Sequence, residues 1–133
     1  MVDIETGKLT YLVPIGSPRY HFSGRCFDKP GWGIVSTYHA NGKSEDNPGL
    51  ENTWGDYEVF MVELTDRSDP KPRVWRLAKT HTLFKSYADA PFAKINKKGT
   101  KVWFGSGWGK SSIDGPYDVY QINLPSTWYQ DLK

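Results

Sequence analysis

A single cysteine, Cys26, stands in the 133-residue chain, so an internal disulfide and a cysteine-based metal site of the zinc-finger kind are both excluded. No apolar run approaches the ~20 residues that a membrane-spanning helix needs. Met1 leads directly into Val2-Asp3-Ile4-Glu5 without a basic stretch and an apolar stretch behind it, so the chain as written predicts a cytoplasmic location and no membrane partner. Export follows instead if the chain is a fragment of a longer protein. Charge of one sign is also missing: 17 basic residues face 15 acidic ones, a net +2, and the basic ones form no stripe, which argues against nucleic acid as a partner. Helix signal is thin. Only Leu83 to Ala90 has room for a turn or two, and Pro91 would end it.

Catalytic and cofactor signatures are scarce as well. There is no Gly-x-Ser-x-Gly elbow, and no neighbour of Cys26 announces an activated thiolate. The three histidines form no i,i+4 pair and no cluster with carboxylates, so no metal is expected. Gly105-Ser106-Gly107-Trp108-Gly109-Lys110-Ser111 has a P-loop flavour, but its first glycine is one residue too close and a strand follows where a P-loop needs a helix. No cofactor and no catalytic residue are assigned.

What is abundant is aromatic and turn-forming. Phe, Trp and Tyr make up 15% of the chain, beside 13 Gly and 9 Pro, a mixture that favours strands and turns. Short aromatic and β-branched runs bounded by Gly, Pro, Asn and Asp predict strands at Leu9 to Ile15, His21 to Phe27, Gly33 to Tyr38, Glu58 to Leu64, Arg73 to Lys79, Phe92 to Asn96, Lys101 to Ser106 and Asp118 to Leu124, with a weaker one at Val2 to Glu5. The fold class is therefore all-β, in a single domain spanning 1–133.

The chain also repeats. Tyr57-Glu58-Val59-Phe60-Met61-Val62-Glu63-Leu64 aligns without a gap on Tyr117-Asp118-Val119-Tyr120-Gln121-Ile122-Asn123-Leu124. Upstream, Gly33-Ile34-Val35-Ser36 matches Trp103-Phe104-Gly105-Ser106, and Phe22 matches Phe92. Each unit reads as successive antiparallel strands: a first full blade at 20–80, a second at 90–130 lacking a clear fourth strand, and N-terminal strands at 1–15 that resemble the last two strands of a unit and would complete a blade. This permuted order is the one a β-propeller uses to close its ring. Two four-stranded blades per chain cannot close around an axis, so the expected partner is either more copies, in a trimer or tetramer, or the remainder of a longer propeller.

Ala93-Lys94-Ile95-Asn96-Lys97-Lys98-Gly99-Thr100-Lys101-Val102-Trp103-Phe104 resembles the inner hairpin of TolB-type, WD-like propeller repeats, with Lys97-Lys98 where Pro-Asp is usual and Gly99 at the position that favours a positive φ. His21-Phe22-Ser23-Gly24-Arg25, Pro30-Gly31-Trp32 and Ser36-Thr37-Tyr38 are similar to the C-terminal blades of propellers related to oligogalacturonate lyases. The resemblance implies a propeller fold and, for the lyase-like relatives, acidic oligosaccharides bound with a His-held metal, whose motif has no residue-by-residue match here.

Candidate ligand-binding residues follow. His21 opens an inner strand and Arg25 lies four residues on, so both point to one face and suit a carboxylate or a sugar. Tyr38 and His39 open a long loop, Ala40 to Thr53, of the length that often carries function. Trp54, Trp108 and Trp128 stand near strand or loop ends, where an indole either stacks on a sugar or packs, whereas Trp32, Trp75 and Trp103 fit core or inter-blade packing by alternation. The leading expectation is a non-catalytic, self-assembling propeller module that binds carbohydrate or another polar ligand. The alternatives are the C-terminal piece of a propeller polysaccharide lyase or related carbohydrate-active enzyme, with His21, Arg25, Tyr38 and His39 as its machinery, and a protein-interaction scaffold.

Overall fold

Runs of β-branched and aromatic residues separated by turn formers build two antiparallel sheets in the computed structural model, which describes residues 1–13, 20–38, 55–64 and 73–131. The first sheet runs in sequence order through β1 (Tyr20–Ser23), β2 (Trp32–Thr37), β3 (Glu58–Glu63) and β4 (Val74–Lys79). The second repeats the meander with β5 (Lys94–Ile95), β6 (Lys101–Ser106) and β7 (Asp118–Asn123), and has three strands. All seven coincide with strands expected from the pattern. The expected helix at 83–90 is a single 3₁₀ turn, Tyr87–Asp89, and a short helical turn, Trp128–Asp131, follows the last strand. Among the described residues no helix is long and apolar enough to cross a membrane.

The sheets stack face to face. Ile34, Val59 and Met61 of the first meet Ile95, Val102 and Phe104 of the second in one apolar core, and burying side chains of this size contributes about 1.5–3 kcal/mol each. Ser36 accepts a hydrogen bond from the Ala93 N–H across the gap, at 3.1 Å. β2 is buried on both faces, because Val35, Phe60 and Val62 form a second cluster on the far side, against which Leu12, Val13, Leu64 and Val74 pack. Only Val2 and Leu9 form a β-bridge within the N-terminal hairpin.

Register fixes which residues are equivalent in the two sheets. Val35 pairs with Phe60 and Phe104 with Tyr120, so with Phe60 matched to Tyr120, Val35 is the counterpart of Phe104 and Ile34 of Trp103. The sequence alignment of β2 with β6 is thus one residue out, and a one-residue slip exchanges the faces of a strand. Trp103 accordingly lies on the outward face, where its Nε1–H donates to Gln121 Oε1 at 3.0 Å. Trp32 does occupy the core, and Trp75 packs against it.

One end of the stack is sealed by the C-terminal turn. Trp128 is buried, edge-on to Trp32 at 5.8 Å, and its indole N–H donates to the Gly99 carbonyl. Gly99 has φ +66° in the β5–β6 turn, as its place in the hairpin predicts, and a Cβ there would stand 2.6 Å from Cys26 Sγ. Burial pushes the Cys26 thiol pKa up, so it packs as a small apolar group.

Candidate functional site

Both sheets begin at the same edge, and β1 and β5 run beside each other there. The groove between them, of ≈ 360 Å³, is lined by His21, Ser23, Arg25, Phe92 and Lys94 among others. Alternation places His21 and Ser23 on the face of β1 that looks toward the second sheet, since they pair with Ser36 and Ile34. Arg25 follows just beyond the strand end and is exposed. Lys94, the first residue of β5, belongs to the opposite wall, but it pairs with Trp103 and its side chain therefore shares the outward face of the second sheet.

His21 is held by aromatic rings on three sides. Tyr38 stacks on it at 4.9 Å, Phe92 lies at 4.2 Å, and the Tyr87 ring meets it edge-on, with Tyr87 Oη 3.0 Å from His21 Nε2. Desolvation by these neighbours lowers the His21 pKa below its ordinary value, so the imidazole is neutral at pH 7. Its Nδ1 is buried and has no hydrogen-bond partner, and the same is true of Ser23 Oγ, on a residue only 8% exposed. A buried polar atom left unmatched costs about 1–3 kcal/mol. Both residues line the groove together with Arg25, and a serine hydroxyl beside a guanidinium suits a carboxylate or another small oxyanion.

The position of this pocket depends on Asp89. Its fully buried carboxylate accepts from the Lys85 and Ser86 N–H groups at 2.9 and 2.7 Å and from the Ser112 N–H. The Tyr117 hydroxyl donates to the Asp89 carbonyl. The turn carrying Tyr87 is thereby tied to the loop between β6 and β7. Burial alone would raise the Asp89 pKa, and the hydrogen bonds from Ser112, Lys85 and Ser86 overcome it and bring it down to about 2.

A second groove, of ≈ 520 Å³, opens on the other side of that loop and is lined by Tyr57, Lys79, His81 and Trp108 among others. Trp108 is 55% exposed, with its ring 4.2 Å from His81 and 5.0 Å from Tyr120. Tyr57, His81 and Trp108 all have positive φ, and the fourth such non-glycine residue, Phe92, lines the first groove. Left-handed backbone is costly for aromatic residues and collects at functional sites.

Of the residues singled out from sequence, His21 and Arg25 share the first groove, Tyr38 is buried behind His21, and Trp108 belongs to the second groove. His39 and Trp54, with the whole of the loop Ala40 to Thr53, lie outside the described residues. Ser23, Tyr87 and Lys94 escaped the sequence reading. Ser23 sits two residues from His21 on the same face, a signal the strand period contains, whereas Lys94 and Tyr87 reach the groove through sheet stacking and carry no local signal. Among the described residues no group of three or more His, Cys, Asp or Glu side chains is placed to hold a metal ion. The chain matches no protein-family model, no curated protein and no solved structure.

Proposed function

We propose that the chain is a non-catalytic β-propeller-type module of two blades that completes itself by assembly and binds the acidic group of a carbohydrate, or a chemically similar carboxylate, in the groove between β1 and β5. The observation that carries the ligand is the pair of buried, unmatched polar atoms, Ser23 Oγ and His21 Nδ1, beside Arg25. A carboxylate accepts from the serine hydroxyl and the guanidinium together, whereas a neutral sugar offers the guanidinium no counter-charge. The neutral imidazole offers Nδ1 as one further hydrogen-bonding atom, and Phe92 provides an apolar wall for the ring face of a sugar. Support for the propeller arrangement comes from the repeated meander, the face-to-face stacking of successive sheets and the alignment of their first strands along one edge.

The reading is non-catalytic because the groove holds no carboxylate beside its imidazole and no nucleophile paired with a base. Isothermal titration with a uronic-acid oligosaccharide and with its neutral counterpart tests it. Saturable binding of the acidic sugar is expected, weakened about tenfold or more by Arg25→Ala, since a charge-assisted hydrogen bond contributes about 1.5–3 kcal/mol. Ser23→Ala should weaken it by a smaller factor. Equal affinity for the neutral sugar, or unchanged affinity in both variants, would remove the groove from consideration.

A further inference from the structure

The stacking of the two sheets defines an operator that the chain uses once and leaves open at both ends. In the first sheet, Val59 and Met61 face the second sheet while Phe60 and Val62 face away. In the second sheet the equivalent positions reverse this: Tyr120 and Ile122, the counterparts of Phe60 and Val62, face the first sheet, and Val119, the counterpart of Val59, points outward and is 73% exposed. The internal interface is therefore a Met61-type face of one unit set against a Phe60-type face of the next. One face of each type has no second sheet against it: the Phe60 face of the first sheet, whose Val35, Phe60 and Val62 are already buried within the chain while Tyr20 and Phe22 at its rim are exposed, and the Val119 face of the second, where Gln121 stands at the Met61 position.

The Phe60 face is only partly covered. Leu12 and Val13 pack on it, and beside them an apolar groove of ≈ 750 Å³ remains, floored by Val35, Phe60 and Val62 and flanked by Tyr20 and Phe22. Phe22 is 52% exposed at its rim. This is the same sheet surface that, in its second-sheet version, is filled inside the chain.

We infer that the occupant of this groove is the Val119 face of a second copy, so that copies associate head to tail by repeating the internal sheet-on-sheet contact. The inference rests on the self-assembly in the reading above and specifies its interface. A two-fold dimer would bring like faces together. The two faces are instead of opposite type, which makes the contact heterologous; such a contact closes into a ring when its rotation divides a full turn and otherwise grows into an open filament, and the ring is the inferred outcome. Three copies would give six sheets and four copies eight, both within the range of closed propellers.

Two substitutions, one on each face, test this by light scattering behind a sizing column over a wide concentration range. Val119→Arg disables the outward face of the second sheet and Phe22→Arg the groove of the first; both residues are exposed in the single chain, so each variant should fold, which near-ultraviolet circular dichroism checks. The wild-type chain is expected at the mass of three or four copies, and each variant alone at the mass of one. An equimolar mixture of the two should contain two-chain particles and nothing larger, because only one intact face of each type is left. A wild-type chain that stays monomeric at high concentration overturns the proposal, as does a dimer that the mixture cannot rebuild or variants that assemble like wild type. The β1–β5 groove lies within one chain, so acidic-sugar binding by monomeric Val119→Arg is measured separately, and its failure would tell against the ligand reading alone.

Discussion

Replacing Asp89 with Asn should destabilise the fold in a way that disappears as the solution is acidified. The carboxylate has no exposure and accepts hydrogen bonds from the backbone of Lys85, Ser86 and Ser112. Its pKa falls from 3.8 to about 2 on folding, and at 1.36 kcal/mol per unit the charged form stabilises the folded state by about 2 kcal/mol. Because the folded pKa is the lower one, this contribution is fully present above pH ~4 and is lost as the pH falls toward ~2. Asn keeps the shape but turns an N–H₂ toward at least one backbone donor, so the variant should be about 2–3 kcal/mol less stable at pH 7. For a chain of this length that corresponds to a melting temperature lower by roughly 10 °C.

Thermal unfolding of both proteins, followed by circular dichroism from pH 7 to pH 2, is the assay. The gap between them should be constant down to about pH 4 and narrow steadily below it. The comparison isolates this residue even though Asp3, Glu58 and Asp114 also have lowered pKa values and contribute to acid sensitivity in both proteins. A gap independent of pH would mean that the cost is steric, and no gap at all would mean that the Asp89 carboxylate does not brace the two loops. Either result would refute the electrostatic argument.

Glu58 is buried, and the hydrogen bonds from Arg76 and Lys79 outweigh the burial that would raise its pKa; Glu58→Gln should cost about 1–2 kcal/mol in chemical denaturation, since both cations are half-exposed and rehydrate. Gly99→Ala combines a positive φ with a Cβ 2.6 Å from Cys26 Sγ, whereas Gly7 has φ +71° and open space around it; the first should cost about 2–4 kcal/mol and Gly7→Ala about 1, and equal costs would mean that the Cys26 contact relaxes freely. The His21 pKa is lowered by burial, so acidic-sugar affinity, measured by titration calorimetry, should rise as the pH falls through that lowered pKa and the imidazole gains a proton against the bound anion. His21→Phe should flatten that dependence. Deleting Leu9 to Leu12 should dissolve the assembly, and an intact ring in the deletion variant would show that this segment is no clasp.

Strand existence was legible because it depends on local composition: alternation and turn residues located all seven strands to within a few residues. The repeat was legible where eight consecutive positions kept their pattern, in β3 and β7. It was misread by one residue in β2 and β6, and the reason is physical. Trp103-Phe104 offers two adjacent aromatic residues for one core position, Ile34-Val35 offers two β-branched ones, and neither pair shows by hydrophobicity which member points inward. Ladder pairing decides it: Phe104 lies opposite Tyr120 and faces the core, and Trp103 lies opposite Gln121 and faces out.

The same reasoning explains which part of the candidate site was visible. His21, Ser23 and Arg25 lie within five consecutive residues, so strand period alone could group them. Lys94 is separated from His21 by 73 positions and Tyr87 by 66, and both reach the groove only because one sheet stacks on the next with its first strand at the same edge. The slip in β2 and β6 had a larger consequence, since it concealed that the outward face of the second sheet is of the Met61 type. Once register is assigned from the ladders, the exposure of Val119 ceases to be an isolated apolar residue on an edge strand. It becomes one half of a contact that the chain already makes once, with the other half at the exposed rim of the Phe60 face, Tyr20 and Phe22.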